Sequence, residues 1–130
     1  MEHELTILGW TLVLALVQIL LAAAMRDAET GLAYNMGPRD GEAPPMRPIT
    51  GRLQRAQNNL LETLPLFAAA VLAAHALDRT GGTTLLGAQI YLAARVLYVP
   101  LYAFGVPLVR SLVWLASIGG LLLVIKAILF

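Results

Sequence analysis

The stretch "GRLQRAQNNLLETLPLF", residues Gly51–Phe67, joins two arginines, a glutamine, two asparagines and a glutamate to a run that then turns apolar. At 100° per residue, Arg52, Arg55, Asn59 and Glu62 fall within an arc of about 80°, which predicts a helix with one polar face. Pro65, three residues after Glu62, has no amide to donate to Leu61. It is read either as a kink that frees a carbonyl beside the polar face or as a proline tolerated in a membrane helix.

The surrounding chain makes that polar face costly. Its 130 residues are 58% hydrophobic and 13% charged, with a mean hydropathy of +0.73, a composition suited to lipid rather than water. A net charge of +1, with nine basic residues not clustered with aromatics, leaves no electrostatic footprint for nucleic acid. The absence of cysteine excludes disulfides, thiolate metal sites and a cysteine nucleophile. Any thiol chemistry needs a thiol that arrives with a ligand. No metal site is expected, because His3 and His75 have no acidic or sulfur partners at ligand spacing. No Ser/His/Asp arrangement, phosphate-cradling glycine loop or dinucleotide fingerprint is present.

The first apolar run, Leu5 to Met25, is 21 residues and spans roughly 31 Å, enough for a bilayer core. The acidic "MEHE" before it and the poor cleavage site in "AAAMRDAET" argue for a retained transmembrane helix rather than a secretory signal. The segment "RDAETGLAYNMGPRDGEAPPMRPITG" then holds four of the seven prolines and both charge signs, and reads as a polar loop with turns at Gly37-Pro38 and Pro44-Pro45. Three further apolar runs follow, Leu60–Leu77, Thr83–Phe104 and Leu108–Phe130.

The chain is therefore read as one all-α transmembrane domain over 1–130. Its helices are placed at about 4–25, 52–78, 83–104 and 107–130, with a loop at 26–50. Arg26, Arg39, Arg47, Arg52, Arg55 and Arg110 fall at one side. Arg79 and Lys126 fall at the other, with Glu2, Glu4 and Asp78. The positive-inside bias places loop 26–50 in the cytoplasm and both termini outside. Gln18, in mid-helix, is expected to bond to a neighbouring helix, and Trp10 and Phe130 to pack or face lipid.

Polar residues recur inside the other apolar runs. Tyr91, Arg95, Tyr98 and Tyr102 form a single helical stripe, and Arg110, Ser111 and Trp114 begin the last run. Glu62, Arg95 and Arg110 lie about 18 to 22 Å from the outer ends of their helices, where an uncompensated charge costs at least about 2.5 kcal/mol. Two accounts remain open. Glu62 and Arg95 form an ion pair that locks two helices, with the asparagines bonding between helices; or the excess of arginines over the single Glu62 holds an anionic ligand with more than one carboxylate.

The opening stretch resembles the second-helix signature of the MAPEG family (membrane-associated proteins in eicosanoid and glutathione metabolism), R-A-x-x-N-x-x-E-x-x-P, met here by Arg55, Ala56, Asn59, Glu62 and Pro65. The stretch "ARVLYVPLYAFGVPLVRSLVW", Ala94 to Trp114, resembles the end of that family's third helix and the start of its fourth. Together with the helix count and loop positions, the resemblance covers most of the chain. It implies a homotrimer of four-helix subunits with the active site between neighbours, open toward the cytoplasm. It also implies glutathione as co-substrate, and a bacterial-type member in the inner membrane with periplasmic termini.

Carried over by position, Arg55, Gln57, Asn59 and Glu62 match glutathione-binding residues of the second helix, and Arg95, Tyr98 and Tyr102 match third-helix residues lining the same site. Arg110 matches the arginine held to stabilise the thiolate, with Ser111 beside it, and Arg26 is a looser match at the end of the first helix. Arg52 joins the expected ligand-binding set through its place on the same polar face as Arg55. Asn58 stands where some members are basic and Trp114 where some have tyrosine, which leaves the electrophile pocket open.

Three functions are carried forward. The first is a glutathione-dependent transferase or peroxidase acting on a lipophilic electrophile or lipid hydroperoxide. The second is a non-enzymatic membrane protein that binds lipid or a partner protein, as one member of the family does. The third is a small transporter, which the absence of a broken-helix pair disfavours.

Overall fold

The computed structural model describes residues 3–38, 41 and 46–130. Glu2, Arg39 and the Pro44-Pro45 turn lie outside the described residues. The elements are α1 (His3–Thr30), α2 (Leu32–Met36), α3 (Pro48–Ala76), α4 (Gly82–Ala103) and α5 (Pro107–Leu129). Helices α1, α3, α4 and α5 are long and apolar enough to cross a bilayer. The protein is an all-α, four-helix membrane bundle with no strand among its described residues.

The segment read as a loop over 26–50 is in part helical. Helix α1 continues past Met25 because Arg26, Ala28 and Glu29 are good helix formers. It ends where Gly31 takes a φ of 92°, a conformation that favours glycine. The Thr30 hydroxyl is shared between Arg26 O and Asn35 Oδ1, each at 2.8 Å, and Asn35 Nδ2 donates to Asp27 Oδ1 at 2.7 Å. These bonds fold α2 back onto the end of α1. Helix α3 starts at Pro48 rather than near Arg52, with the proline in its first turn, where a missing amide costs nothing. Composition reads such a segment as solvated; local side-chain bonds give it structure.

The α4–α5 connection is short. Gly105 (φ 70°) ends α4 in a left-handed cap, with Gly105 N donating to Tyr102 O and Val106 N to Leu101 O, both at 3.0 Å. Pro107 then opens α5. The hairpin lays α5 antiparallel on α4, so closely that a Cβ on Gly87 would sit 2.6 Å from Gly120 O and one on Gly120 2.5 Å from Gly87 O. Small residues are what allow two membrane helices to touch backbone to backbone.

Inside the bundle, Leu8 and Ala15 of α1 pack with Leu60, Phe67 and Val71 of α3, Ala88 and Tyr91 of α4, and Leu121 and Val124 of α5. At one end the buried Glu4 accepts a bond from Thr84 Oγ1 at 2.9 Å, tying the starts of α1 and α4 together. Pro65 and Pro100 both lie inside continuous helices. Outward-facing leucines such as Leu12, Leu16, Leu66, Leu97, Leu115 and Leu122 are exposed on the subunit, as the lipid-facing or neighbour-facing side of a membrane bundle requires. Trp10 and Phe130 are exposed as well. Gln18 is buried, but its Oε1 has no hydrogen-bond partner.

Candidate functional site

The register that builds the site is set in mid-bundle. Tyr91 stacks on Phe67 with ring centres 4.1 Å apart and an interplanar angle of 9°, and its hydroxyl pairs with that of Thr63 at 2.7 Å. Helices α3 and α4 run antiparallel. One turn back from Thr63 and one turn on from Tyr91 therefore lead toward the same end of the bundle, the one opposite Glu4.

A cavity of about 460 Å³ lies there. Helix α3 supplies Arg55, Asn58, Asn59 and Glu62; α4 supplies Tyr98 and Tyr102; α5 supplies Arg110, Ser111 and Trp114. Tyr102 organises the cations. Arg55 Nε donates to its hydroxyl at 3.2 Å, while the Arg110 guanidinium carbon sits 4.5 Å from its ring centre, in cation–π range. Tyr98 leans on Tyr102 with ring centres 5.5 Å apart and planes tilted by 56°.

Several other residues singled out from the sequence lie outside the lining. Arg95 is 1% exposed, with its guanidinium carbon 4.4 Å from the Tyr98 ring centre and its Nε and Nη1 without hydrogen-bond partners. It lies behind the tyrosine rather than in the lining. Among the described residues Glu62 and Arg95 form no ion pair; Glu62 is exposed at the cavity. Arg52 turns to the end of α4, where Nη1 reaches Ala103 O at 3.5 Å and the guanidinium packs against Gly105. Gln57 is half-buried outside the lining. Ser111 donates to Pro107 O at 3.1 Å, so its hydroxyl is engaged with its own helix. Arg26 is half-buried, and its Nε has no hydrogen-bond partner.

Two lining residues, Asn58 and Trp114, were not assigned to the site from the sequence. Asn58 follows from its place three residues after Arg55 and four before Glu62, and Trp114 from its place one turn after Arg110 on the same stripe. The lining thus offers two guanidinium groups, one carboxylate, two carboxamides, two phenols, a hydroxyl and an indole. Its fixed charge is positive. The arrangement suits an anionic ligand that also carries a cationic group for Glu62.

The family model described as MAPEG family matches residues 7–130. The chain belongs to the MAPEG family. No curated protein matches it. In this MAPEG protein the cavity is lined by residues of two stretches, Arg55–Pro65 on α3 and Ala94–Trp114 across the α4–α5 turn, both within the matched range. Membership and the four apolar helices together make it an integral membrane protein.

Proposed function

We propose that this protein is a membrane-bound, glutathione-dependent transferase or peroxidase acting on a lipophilic electrophile or a lipid hydroperoxide. The observation that carries the reading is the placement of Arg55 and Arg110 on one tyrosine, Tyr102, at the edge of a cavity that also contains Glu62. Glutathione brings two carboxylates, an ammonium group and the thiol that a cysteine-free chain lacks. Arg55, with Arg52 and Gln57 nearby on α3, takes a carboxylate; Glu62 takes the ammonium; Asn59, Tyr98 and Tyr102 add neutral bonds. Arg95 supports Tyr98 from behind.

Arg110 is assigned to the thiol. A free thiol has a pKa of about 8.5, and a cation in a partly dry site favours its thiolate. Ser111 serves as a second donor once its hydroxyl turns from Pro107 O. In transfer, the thiolate sulfur bonds to the electrophilic carbon and the leaving group departs with its electron pair. With a hydroperoxide, sulfur takes the terminal oxygen, the alcohol leaves after protonation, and a second glutathione converts the sulfenic acid to disulfide and water. The proposal includes a homotrimer with sites between neighbours, lateral entry of the lipophilic substrate from the bilayer, and a bacterial inner membrane with the cavity facing the cytoplasm.

One observation favours a second reading. Arg52 and Arg55 already have hydrogen-bond partners within the chain, and Arg95 is buried. The polar residues then serve as interhelical glue in a protein that binds lipid or a partner protein. Calorimetric titration of glutathione into the detergent-solubilised protein, with ultraviolet absorbance read for bound thiolate, separates the two. Saturable binding with a thiolate signal that Arg110→Ala abolishes supports the enzyme; no binding at millimolar glutathione (on the order of a free energy of 4 kcal/mol) supports the glue.

A further inference from the structure

Thr50 and Arg55 leave the start of α3 about 140° apart. Thr50 is fully buried; its hydroxyl donates to Glu29 Oε1 of α1 at 2.6 Å and also reaches Oε2. The same Oε1 accepts the backbone N–H of Arg47 at 3.1 Å. On the other side, Arg52 and Arg55 reach Ala103 O and the Tyr102 hydroxyl. The first turns of α3 are therefore held between the end of α1 and the end of α4.

That hold answers a local weakness. Arg47, the N-cap residue, makes no side-chain cap bond, and Gly51 occupies the first turn, where glycine is a poor helix former. A Cβ at Gly51 would lie 3.3 Å from Arg55 Nη1, the tip of an exposed side chain that can give way. The first turn of α3, about two turns before Arg55, makes no side-chain cap of its own, and the Glu29 carboxylate, 18 residues before Arg47, supplies one. A negative charge at a helix N-terminus is also favoured by the helix dipole.

We propose that Glu29 is the positioning residue for this arm of the site. It fixes the start of α3 through Thr50 and the Arg47 amide, so that Arg55 meets Tyr102 at the cavity edge. The role given to Arg55 rests on the glutathione reading above; the clasp itself does not.

The test uses the full chain in detergent, with Glu29→Ala, Thr50→Val and Glu29→Gln, which keeps an accepting oxygen. Amide hydrogen exchange over residues 51–55 and glutathione affinity are measured together. Glu29→Ala and Thr50→Val raise exchange at 51–55 about tenfold while the rest of α3 is unchanged. They weaken glutathione about threefold to tenfold, and Glu29→Gln restores much of both. Unchanged exchange at 51–55, a rise spread evenly over all helices, or faster local exchange with unaltered glutathione affinity each overturns the proposal. Should the wild-type protein bind no glutathione, the glutathione reading fails alone. Local exchange then still upholds the clasp if it rises, and overturns it if it does not.

Discussion

The Arg110 guanidinium lies over the ring of Tyr102, 4.5 Å from its centre, joining two helices across the α4–α5 turn. The hydroxyl of the same tyrosine accepts from Arg55 Nε at 3.2 Å. Ring face and hydroxyl are different parts of one side chain, so the hydrogen bond to Arg55 can be removed while the ring, 5.8 Å from the Arg55 guanidinium carbon and 4.5 Å from that of Arg110, stays in place.

Tyr102→Phe keeps the ring beside both arginines and removes only the hydrogen bond from Arg55. Under the proposed function it weakens glutathione about threefold to tenfold, the worth of one hydrogen bond, and leaves the thiolate signal in place. Tyr102→Leu removes the ring as well and diminishes that signal. Calorimetry and ultraviolet absorbance on the same samples distinguish the two variants.

The pH dependence of bound thiolate has a definite sign. Under the proposed function, a cation beside sulfur favours the charged form, so the thiol of bound glutathione titrates below its free value of about 8.5 and the thiolate persists to lower pH. Arg110→Ala moves the midpoint upward, and Arg110→Lys moves it less. A spectroscopic titration of the saturated complexes shows the order.

Gly87 and Gly120 cannot accept a methyl group without moving backbone. Gly87→Ala and Gly120→Ala are each expected to cost about 1 to 3 kcal/mol, whereas Gly119→Ala, with nothing within 4 Å of its Cβ, leaves stability unchanged or slightly raised. Thermal unfolding midpoints in detergent test the contrast.

The Thr63–Tyr91 pair is buried at 2.7 Å, so removing one partner strands the other. Thr63→Val is expected to cost about 1 to 3 kcal/mol and Tyr91→Phe somewhat less, because Thr63 retains a longer bond to Leu60 O at 3.3 Å. The double variant costs less than the sum of the two. A double-mutant cycle on unfolding midpoints measures the difference.

Much of the architecture was legible because it rests on one-dimensional quantities. The runs from Leu5, Leu60, Thr83 and Leu108 are apolar for long enough to cross a bilayer, and Gly105 and Pro107 mark the last turn by chemistry that acts within a few residues. The polar faces on α3 and α4 were legible for the same reason, since helical period alone puts Arg55 with Glu62 and Tyr98 with Tyr102. The placing of α2 was not legible, because Asp27, Thr30 and Asn35 read as loop residues until their mutual bonds are seen.

The sequence by itself determined the membrane class, the four long helices, the family and which helix faces are polar, all of which follow from composition and local period. Only the tertiary structure decided which polar residues meet. Arg52 and Arg55 share a face, yet one turns to Ala103 O and the other to Tyr102; Arg95 lies behind Tyr98 while Arg110 reaches the cavity; Glu29 caps α3. Helical period fixes direction around one axis. Partnership depends on how neighbouring axes are offset and rotated, and here contacts distant in sequence set that geometry: Tyr91 on Phe67 and Gly87 on Gly120.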